Sequence, residues 1–209
     1  MLLMAVDIGN TNVVIGFIDD GRIAGTYRIT TKANHTSDEY GLMITQFLAL
    51  SGYKPADVDD VIISSVVPKV MHSFRASIVK FLDIDPMIVG PGIKTGLNIR
   101  MDNPQNMGAD CIADCAGAYY EYGGPILVAD FGTATTFNYV TADASVISGL
   151  ITTGIRTAAA ALWEGTAAAA GSGDHPSEVD SGEVHETGHA GGPVLQLPRR
   201  HRTHDRAVP

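Results

Sequence analysis

The sequence has only two cysteines in 209 residues and a single tryptophan. It also lacks any uninterrupted apolar run near the ~18 residues that a membrane-spanning helix needs. Cys111 and Cys115 stand four residues apart, which fits one helix face and not a CxxC redox or zinc pair, so we expect reduced, partly buried thiols. The first run, MLLMAV, is too short for a signal-peptide core and stops at Asp7. These absences predict a cytoplasmic protein without a membrane span.

Positive charge is also scarce, with 14 lysines and arginines against 23 aspartates and glutamates and a net charge of −9. Without a global positive field, nucleic acids and anionic membranes are not expected as main partners. A bound anion would then be held locally, by backbone N–H groups or through a cation. The usual nucleotide loops are missing as well, because neither GxxxxGK[ST] nor GxGxxG occurs.

What the chain does contain is one short phrase twice, DIGNTNVV at 7–14 and DFGTATTF at 130–137. Each copy follows an apolar run and places an aspartate and a glycine before small hydroxyl or amide residues. A single copy would be typical of an Asx-capped turn. Two copies favour a paired site in which the glycines let a phosphate chain approach the backbone. The hydroxyls and amides would then donate to phosphate oxygens, and the carboxylates would hold a hydrated cation.

The hydrophobic pattern predicts that strands and helices alternate along the chain. The predicted helices are 37–50, capped by Ser37 or Asp38, a second that begins at Pro68, and 105–122. The predicted strands are LLMAV, VVIGFI, RIAGTYRI, 60–67, 87–89, 126–130, 135–140 and 145–148. Because a similar strand–turn–strand unit starts twice, we expect two related α/β halves that face each other across a cleft.

The composition changes sharply after Gly165. Residues 166–209 lack Ile, Phe, Tyr, Trp, Met and Cys, and they carry five of the seven histidines. Their few aliphatic side chains cannot offset the entropy of ordering the backbone, and the histidine spacings match no standard metal site. We expect a disordered, protease-sensitive tail. The strands that precede it would keep an apolar face uncovered unless a second subunit covers it.

Six stretches of the sequence resemble one known family in residue identity, order and spacing. They are AVDIGNTNVVIG (5–16), SDEYG (37–41), VIISSVVP (61–68), VGPGIKTGLNI (89–99), DNPQNMGAD (102–110) and ADFGTATTFNYV (129–140). Together they resemble the type III pantothenate kinases of the acetate and sugar kinase, Hsp70 and actin superfamily. The resemblance implies duplicated ribonuclease H-like lobes with an incomplete second lobe. The first lobe would span 1–122 and the start of the second 123–165. Residues 166–209 would be a tail outside the family, the result of truncation or a reading-frame shift.

The resemblance also implies a reaction, ATP-dependent phosphorylation of pantothenate to 4'-phosphopantothenate, the first step of coenzyme A biosynthesis. Asp110 would accept the proton of the substrate hydroxyl. Mg²⁺ would accompany ATP, potassium or ammonium would bind at Asp130, and the protein would be a homodimer. The implied ATP contacts are Asp7, Ile8, Gly9, Asn10, Thr11, Asn12, Val13, Val14 and Thr133, and the implied pantothenate contacts are Met101, Gly108, Ala109, Asp110 and Cys111.

Three positions depart from the family pattern. Many members have tyrosine where this chain has Met101, and arginine where it has Cys111, and SGLITTG (148–154) replaces a sequence close to GGxIxPG. A cysteine cannot replace the bidentate cationic donor that an arginine offers to an anionic substrate. Two alternatives therefore stand beside the kinase: another phosphotransferase or phosphatase of the superfamily, and an impaired fragment that only binds nucleotide or dimerises. From its position alone, Asp110 is typical of a solvated carboxylate in the first turn of a helix.

Overall fold

The first sheet is an antiparallel meander extended by parallel strands. The computed structural model describes residues 1–90 and 93–169. Strands β1 (Leu2–Ile8), β2 (Asn12–Asp19) and β3 (Arg22–Thr30) form the meander. On the other side of β1, β4 (Val58–Ser65) runs parallel to it and β5 (Met87–Ile88) runs parallel to β4. The resulting strand order is β3-β2-β1-β4-β5.

Two helices, α1 (Ser37–Leu50) and α2 (Pro68–Leu82), join strands of this sheet and pack against each other. Their buried faces share a core with alternate residues of β1 and β2, which include Met4 and Phe17. The helices approach closely at Gly41, where a Cβ atom would lie 2.2 Å from the ring of Phe81. The predicted cap of α1 was wrong by one residue. Thr36 is the N-cap, because its hydroxyl accepts from Glu39 N and Glu39 Oε2 accepts from Thr36 N in a capping box.

The second sheet repeats the meander of the first. Strands β7 (Ile126–Phe131), β8 (Ala134–Val140) and β9 (Ser145–Thr153) are antiparallel, and the short β6 (Asn98–Ile99) runs parallel to β9 at one edge. The order is β6-β9-β8-β7. The fold is therefore α/β with two related sheets. Between Met1 and Ala169, β9 is followed by α4 (Ile155–Ala169) and by no further strand.

Helix α3 (Ala109–Tyr122) packs on one face of the second sheet. The predicted start at 105 was wrong, because residues Pro104–Asn106 form a separate 3₁₀ turn and Gly108 is the N-cap of α3. The prediction that Cys111 and Cys115 lie on one buried face of a helix is confirmed. Cys111 and Cys115 are buried free thiols, and burial is the main cause that raises the pKa of Cys115 to about 12.

The opposite face of β7–β9 remains open. Leu127, Phe131 and Leu150 are all exposed there, as expected for an uncovered apolar face. Helix α4 crosses Gly165, where the sequence analysis ends the second lobe, and the expectations for 170–209 lie outside the described residues. None of the helices in the described part of the chain is long and apolar enough to cross a membrane.

Candidate active site

The two repeated phrases meet in space although they lie far apart in sequence. Thr11 Oγ1 and Thr133 Oγ1 are hydrogen-bonded at 3.0 Å, so the loop after β1 touches the loop after β7. Each loop closes on its own glycine, with the Gly9 N–H donating to Asn12 O and the Gly132 N–H to Ala134 O, both at 2.9 Å. The structure therefore brings the two phrases together into one candidate site, beside the C-terminal ends of β1 and β7.

Both glycines lie where the loops leave little room for a side chain. A Cβ atom on Gly9 would lie 3.3 Å from Asn12 O, and one on Gly132 would lie 3.3 Å from Asp130 Oδ2. The alternate residues Ile8 and Val13 are fully buried in the first core. Only their main-chain atoms can therefore face a nucleotide, whereas Asn10 and Thr11 are exposed at the loop tip.

Asp7 and Asp130 occupy equivalent places, each at the next-to-last residue of the first strand of its antiparallel meander. Both residues are exposed. The space around their carboxylates, beside the two loops, is called the cleft below. Partial loss of hydration, followed by the negative charges of Asp110 and Asp130, raises the pKa of Asp7 above its usual value. The carboxylates of the two halves therefore repel one another, as they would around a site that receives positive charge.

Asp110 enters the same cleft from the first turn of α3. Its Oδ1 accepts a hydrogen bond from the Cys111 N–H at 2.7 Å. The same oxygen lies 2.3 Å from the place where a Cβ atom on Gly108 would stand. In this rotamer the Asp110 carboxylate therefore folds back over the helix start, into space that a side chain at 108 would occupy.

Asp114 is a fourth carboxylate of this cleft, and the sequence analysis missed it. It lies four residues after Asp110 and so one turn further along the same face of α3. Water reaches its side chain, but the surrounding protein removes part of its hydration. That loss, followed by the charges of Asp130, Asp110 and Asp7, raises the pKa of Asp114 to about 6. The spacing of four from Asp110 was the signal that could have found it.

The raised pKa of Asp114 predicts a pH-dependent stability penalty. The folded chain holds the proton up to about pH 6, whereas the unfolded chain releases it near 3.8. Stability is therefore lost as pH rises through this window, and the penalty is complete above about pH 6. We expect Asp114→Asn to raise the melting temperature at pH 8 and to leave it unchanged at pH 3.5. Thermal unfolding across that range measures the difference.

Glu121→Gln is the matched control for this experiment, because it removes a carboxylate from the exposed far end of the same helix. A melting-temperature gain for Asp114→Asn that is the same at both pH values would contradict the prediction. An equal gain for Glu121→Gln would show that overall charge, and not the cleft, is the cause.

The residues assigned to the substrate pocket fall into two groups. Gly108 and Ala109 line a cavity of about 510 Å³. Ile93, Thr95 and Leu97, in the segment that precedes β6, line the same cavity. Met101 and Cys111 instead lie against the second sheet. Cys111 is 8% exposed, and its Sγ is 3.8 Å from Thr136 Oγ1. Loss of hydration and the Asp110 charge raise the pKa of the Cys111 thiol.

The described residues of this cleft form no ready-made metal site. No group of three or more His, Cys, Asp or Glu side chains within 1–90 and 93–169 is arranged to hold a metal ion. Asp7 and Asp130 nevertheless fit a hard cation that keeps several waters or phosphate oxygens as ligands, because they are accessible carboxylates with an unfavourable mutual charge.

Comparison with known proteins identifies the family of the chain. A sequence model of the family described as type III pantothenate kinase matches residues 3–179. The chain belongs to the type III pantothenate kinase family. A type III pantothenate kinase of Bifidobacterium longum (strain DJO10A) is 75% identical over 166 residues, which cover 79% of this chain and 65% of the relative. One from Agathobacter rectalis is 47% identical, with 79% and 64% covered. The chain thus spans less than two thirds of the length of these relatives.

Among solved structures, similarity is lower. The activator of 2-hydroxyisocaproyl-CoA dehydratase from Clostridium difficile is 12% identical with a TM-score of 0.46, over 73% of this chain and 46% of that chain. The ethanolamine utilization protein EutJ from Carboxydothermus hydrogenoformans is 10% identical with a TM-score of 0.46, over 79% and 57%.

Proposed function

We propose that the protein transfers the γ-phosphoryl group of ATP to the primary hydroxyl of pantothenate and forms 4'-phosphopantothenate. The observation that supports this most directly is the 3.0 Å contact between Thr11 and Thr133, which brings the two glycine loops together beside the carboxylates. Family membership supports the choice of acceptor, since the matched relatives are named for pantothenate.

In this proposal, the loops at 7–14 and 132–134 bind the phosphates of ATP. Their main-chain N–H groups and the hydroxyls of Thr11 and Thr133 donate hydrogen bonds to phosphate oxygens. Phosphoryl transfer depends mainly on positioning and charge stabilisation, so the loops supply alignment and not covalent chemistry. The exposed tip of the first loop leaves room for a nucleotide to approach from the solvent side.

Asp110 acts as proton acceptor in the same proposal. A primary hydroxyl is a weak nucleophile, and a carboxylate held beside it takes its proton as the bond to phosphorus forms. The geometry supports this role because Gly108 lets the Asp110 carboxylate fold back over the start of α3. Asp114, one turn further along, keeps negative charge nearby above its pKa of about 6.

Two cations belong to the proposal. Asp130 would hold a monovalent cation, potassium or ammonium, and Asp7 would face the Mg²⁺ that accompanies ATP. Such cations offset phosphate charge and so lower the repulsion that a nucleotide meets in an acidic cleft. The unfavourable mutual charge of Asp7 and Asp130 supports this assignment.

Replacement of Asp130 tests the monovalent cation site. Asp130→Ala is expected to abolish stimulation by potassium while leaving the Mg²⁺ dependence of ATP binding nearly unchanged. Titration of activity with potassium chloride, with choline chloride to keep ionic strength constant, measures the effect. Asp143→Asn, an exposed carboxylate in the turn between β8 and β9, is the control. Potassium dependence equal to that of the unmodified protein would rule out this role.

The activity itself is tested by incubation of the purified chain with ATP, Mg²⁺, potassium and pantothenate. Formation of 4'-phosphopantothenate, detected by mass, is the expected result. ATP binding without product would favour the impaired fragment, whose supporting observation is Cys111 in place of an arginine. Transfer to a different acceptor or hydrolysis of a phosphate chain would favour another superfamily enzyme.

We also propose a homodimer. The exposed apolar residues Leu127, Phe131 and Leu150 support a covered sheet face in the assembly. Sedimentation velocity is expected to give about twice the chain mass of 22.0 kDa. A monomer at all concentrations would contradict this proposal without bearing on nucleotide binding.

A further inference from the structure

A serine near the end of β4 is not explained by packing. Val61 and Ile63 of this strand are fully buried in the first core. Ser64 points to the opposite face of the sheet, because side chains alternate along a strand, and it is 7% exposed. A buried hydroxyl costs free energy unless it has a hydrogen-bond partner. The neighbouring Ser65 has one, since its Oγ accepts from the Val67 N–H at 3.1 Å.

The strand register places Ser64 beside Asp7. Strands β1 and β4 are parallel, and Asp7 is paired with Ser64 across them. Paired residues on neighbouring strands point to the same face, and such strands lie about 4.8 Å apart. The start of α3 approaches this end of β4, because Val66 Cγ1 lies 3.6 Å from the place where a Cβ atom on Gly108 would stand. Ser64 is therefore buried next to the first carboxylate of the cleft.

The Ser64 hydroxyl acts on the charge of Asp7. Loss of hydration and the charges of Asp110 and Asp130 raise the pKa of Asp7, whereas the Ser64 hydroxyl lowers it as a hydrogen-bond donor. Within residues 1–90 and 93–169, no group makes a hydrogen bond of ordinary geometry with Ser64 Oγ. The proton of this hydroxyl is therefore not committed elsewhere. Asp7 is exposed, so its side chain is free to turn and complete the bond.

We infer that Ser64 is a positioning residue, whose hydroxyl donates a hydrogen bond to the Asp7 carboxylate and holds it in the orientation that receives the Mg²⁺ of the nucleotide. This inference rests on the proposed function, in which Asp7 faces that cation. Carboxylates that bind metal ions are commonly oriented by such hydrogen bonds.

The chemistry of the cleft favours a hydroxyl in this role. Without a donor, repulsion by Asp110 and Asp130 favours rotamers that carry the Asp7 carboxylate away from them. A lysine or arginine could restrain the carboxylate as well, but its positive charge would offset the negative charge that attracts Mg²⁺. The neutral hydroxyl of Ser64 orients Asp7 and leaves that charge available.

The test compares the unmodified chain with Ser64→Ala, which removes the donor. Ser77→Ala is the matched control, since it removes another buried serine hydroxyl, which donates to Phe74 O at 2.6 Å inside α2. Calorimetry measures ATP binding at increasing Mg²⁺ concentration and, separately, in EDTA without Mg²⁺. The same titrations are made with Asp7→Asn and with the double variant, and thermal unfolding of each free protein is recorded.

For Ser64→Ala, we expect the Mg²⁺ concentration that half-saturates the gain in ATP affinity to rise about 10- to 100-fold, as for the loss of a group that orients a metal ligand. ATP affinity in EDTA should stay within twofold. Asp7→Asn should also raise the Mg²⁺ requirement, and Ser64→Ala should add less than twofold to it, because both act through one carboxylate. Ser77→Ala should show the Mg²⁺ dependence of the unmodified chain.

Three results would overturn the inference. A Mg²⁺ requirement of Ser64→Ala within twofold of the unmodified chain would exclude the role. An equal loss of ATP affinity with and without Mg²⁺, together with a lower melting temperature, would make Ser64 purely structural. Additive effects of Ser64→Ala and Asp7→Asn would show that Ser64 does not act through Asp7. An unmodified chain that binds no ATP at any Mg²⁺ concentration is a distinct outcome, since it rejects the nucleotide site of the proposed function and the inference with it.

Discussion

Asp110→Asn is expected to remove most turnover and to spare ATP binding. The substitution keeps the size of the side chain but eliminates the proton acceptor, and loss of a general base typically lowers the rate by about 10²–10⁴-fold. The loops that we propose to bind the phosphates lie at 7–14 and 132–134, so the substitution leaves them in place. Steady-state assays with ATP and pantothenate measure kcat, and calorimetry measures the ATP dissociation constant.

The same helix provides the control for Asp110→Asn. Glu121→Gln removes a carboxylate from the exposed end of α3 and should leave kcat within twofold. If Asp110→Asn also kept kcat within twofold, the assignment of Asp110 as proton acceptor would be wrong. A fall in ATP affinity as large as the fall in rate would point to a damaged cleft and not to a lost base.

Gly154→Ala is expected to weaken ATP binding strongly through the loop after β7. Gly154 is buried, and its N–H donates to Thr133 O at 3.2 Å. A Cβ atom there would lie 2.3 Å from Thr133 O and 2.5 Å from Gly132 O. These are main-chain atoms that no change of rotamer can move, so the loop must shift as a whole.

The shift would separate Thr133 from Thr11, whose hydroxyls are 3.0 Å apart. Overpacking of this kind costs about 1–3 kcal/mol, equivalent to about 5- to 150-fold in the dissociation constant if the strain falls on the ATP-binding geometry. Calorimetry with ATP measures the change, and circular dichroism checks that the variant is folded.

Gly165→Ala, inside the helix that begins directly after Gly154, is the control, because nothing lies within 4 Å of a Cβ atom at position 165. It should bind ATP normally and should unfold at a slightly higher temperature, since alanine favours a helix over glycine by about 1 kcal/mol. An ATP affinity within twofold for Gly154→Ala would show that the loop tolerates the added methyl group.

The local features of the fold could be predicted because they depend on neighbours in sequence. Apolar alternation located β1 and β2, helical spacing located α1 and α2, and the glycines marked both phosphate-loop candidates. Errors appeared at element ends. The cap of α1 is Thr36 because a glutamate three residues later completes a capping box, and α3 starts after Gly108 because a 3₁₀ turn comes first.

The sequence by itself determined the repeated aspartate–glycine phrases, the GAD motif and the family to which the chain belongs. Only the tertiary structure placed Asp114 among the other carboxylates, and only it brought Thr11 against Thr133. The physical reason is the distance in sequence between the interacting residues. A turn or a helix face is fixed by residues a few positions apart, whereas the pKa of a carboxylate and the contact between the two loops depend on strands and helices that meet only when the two sheets and α3 have packed.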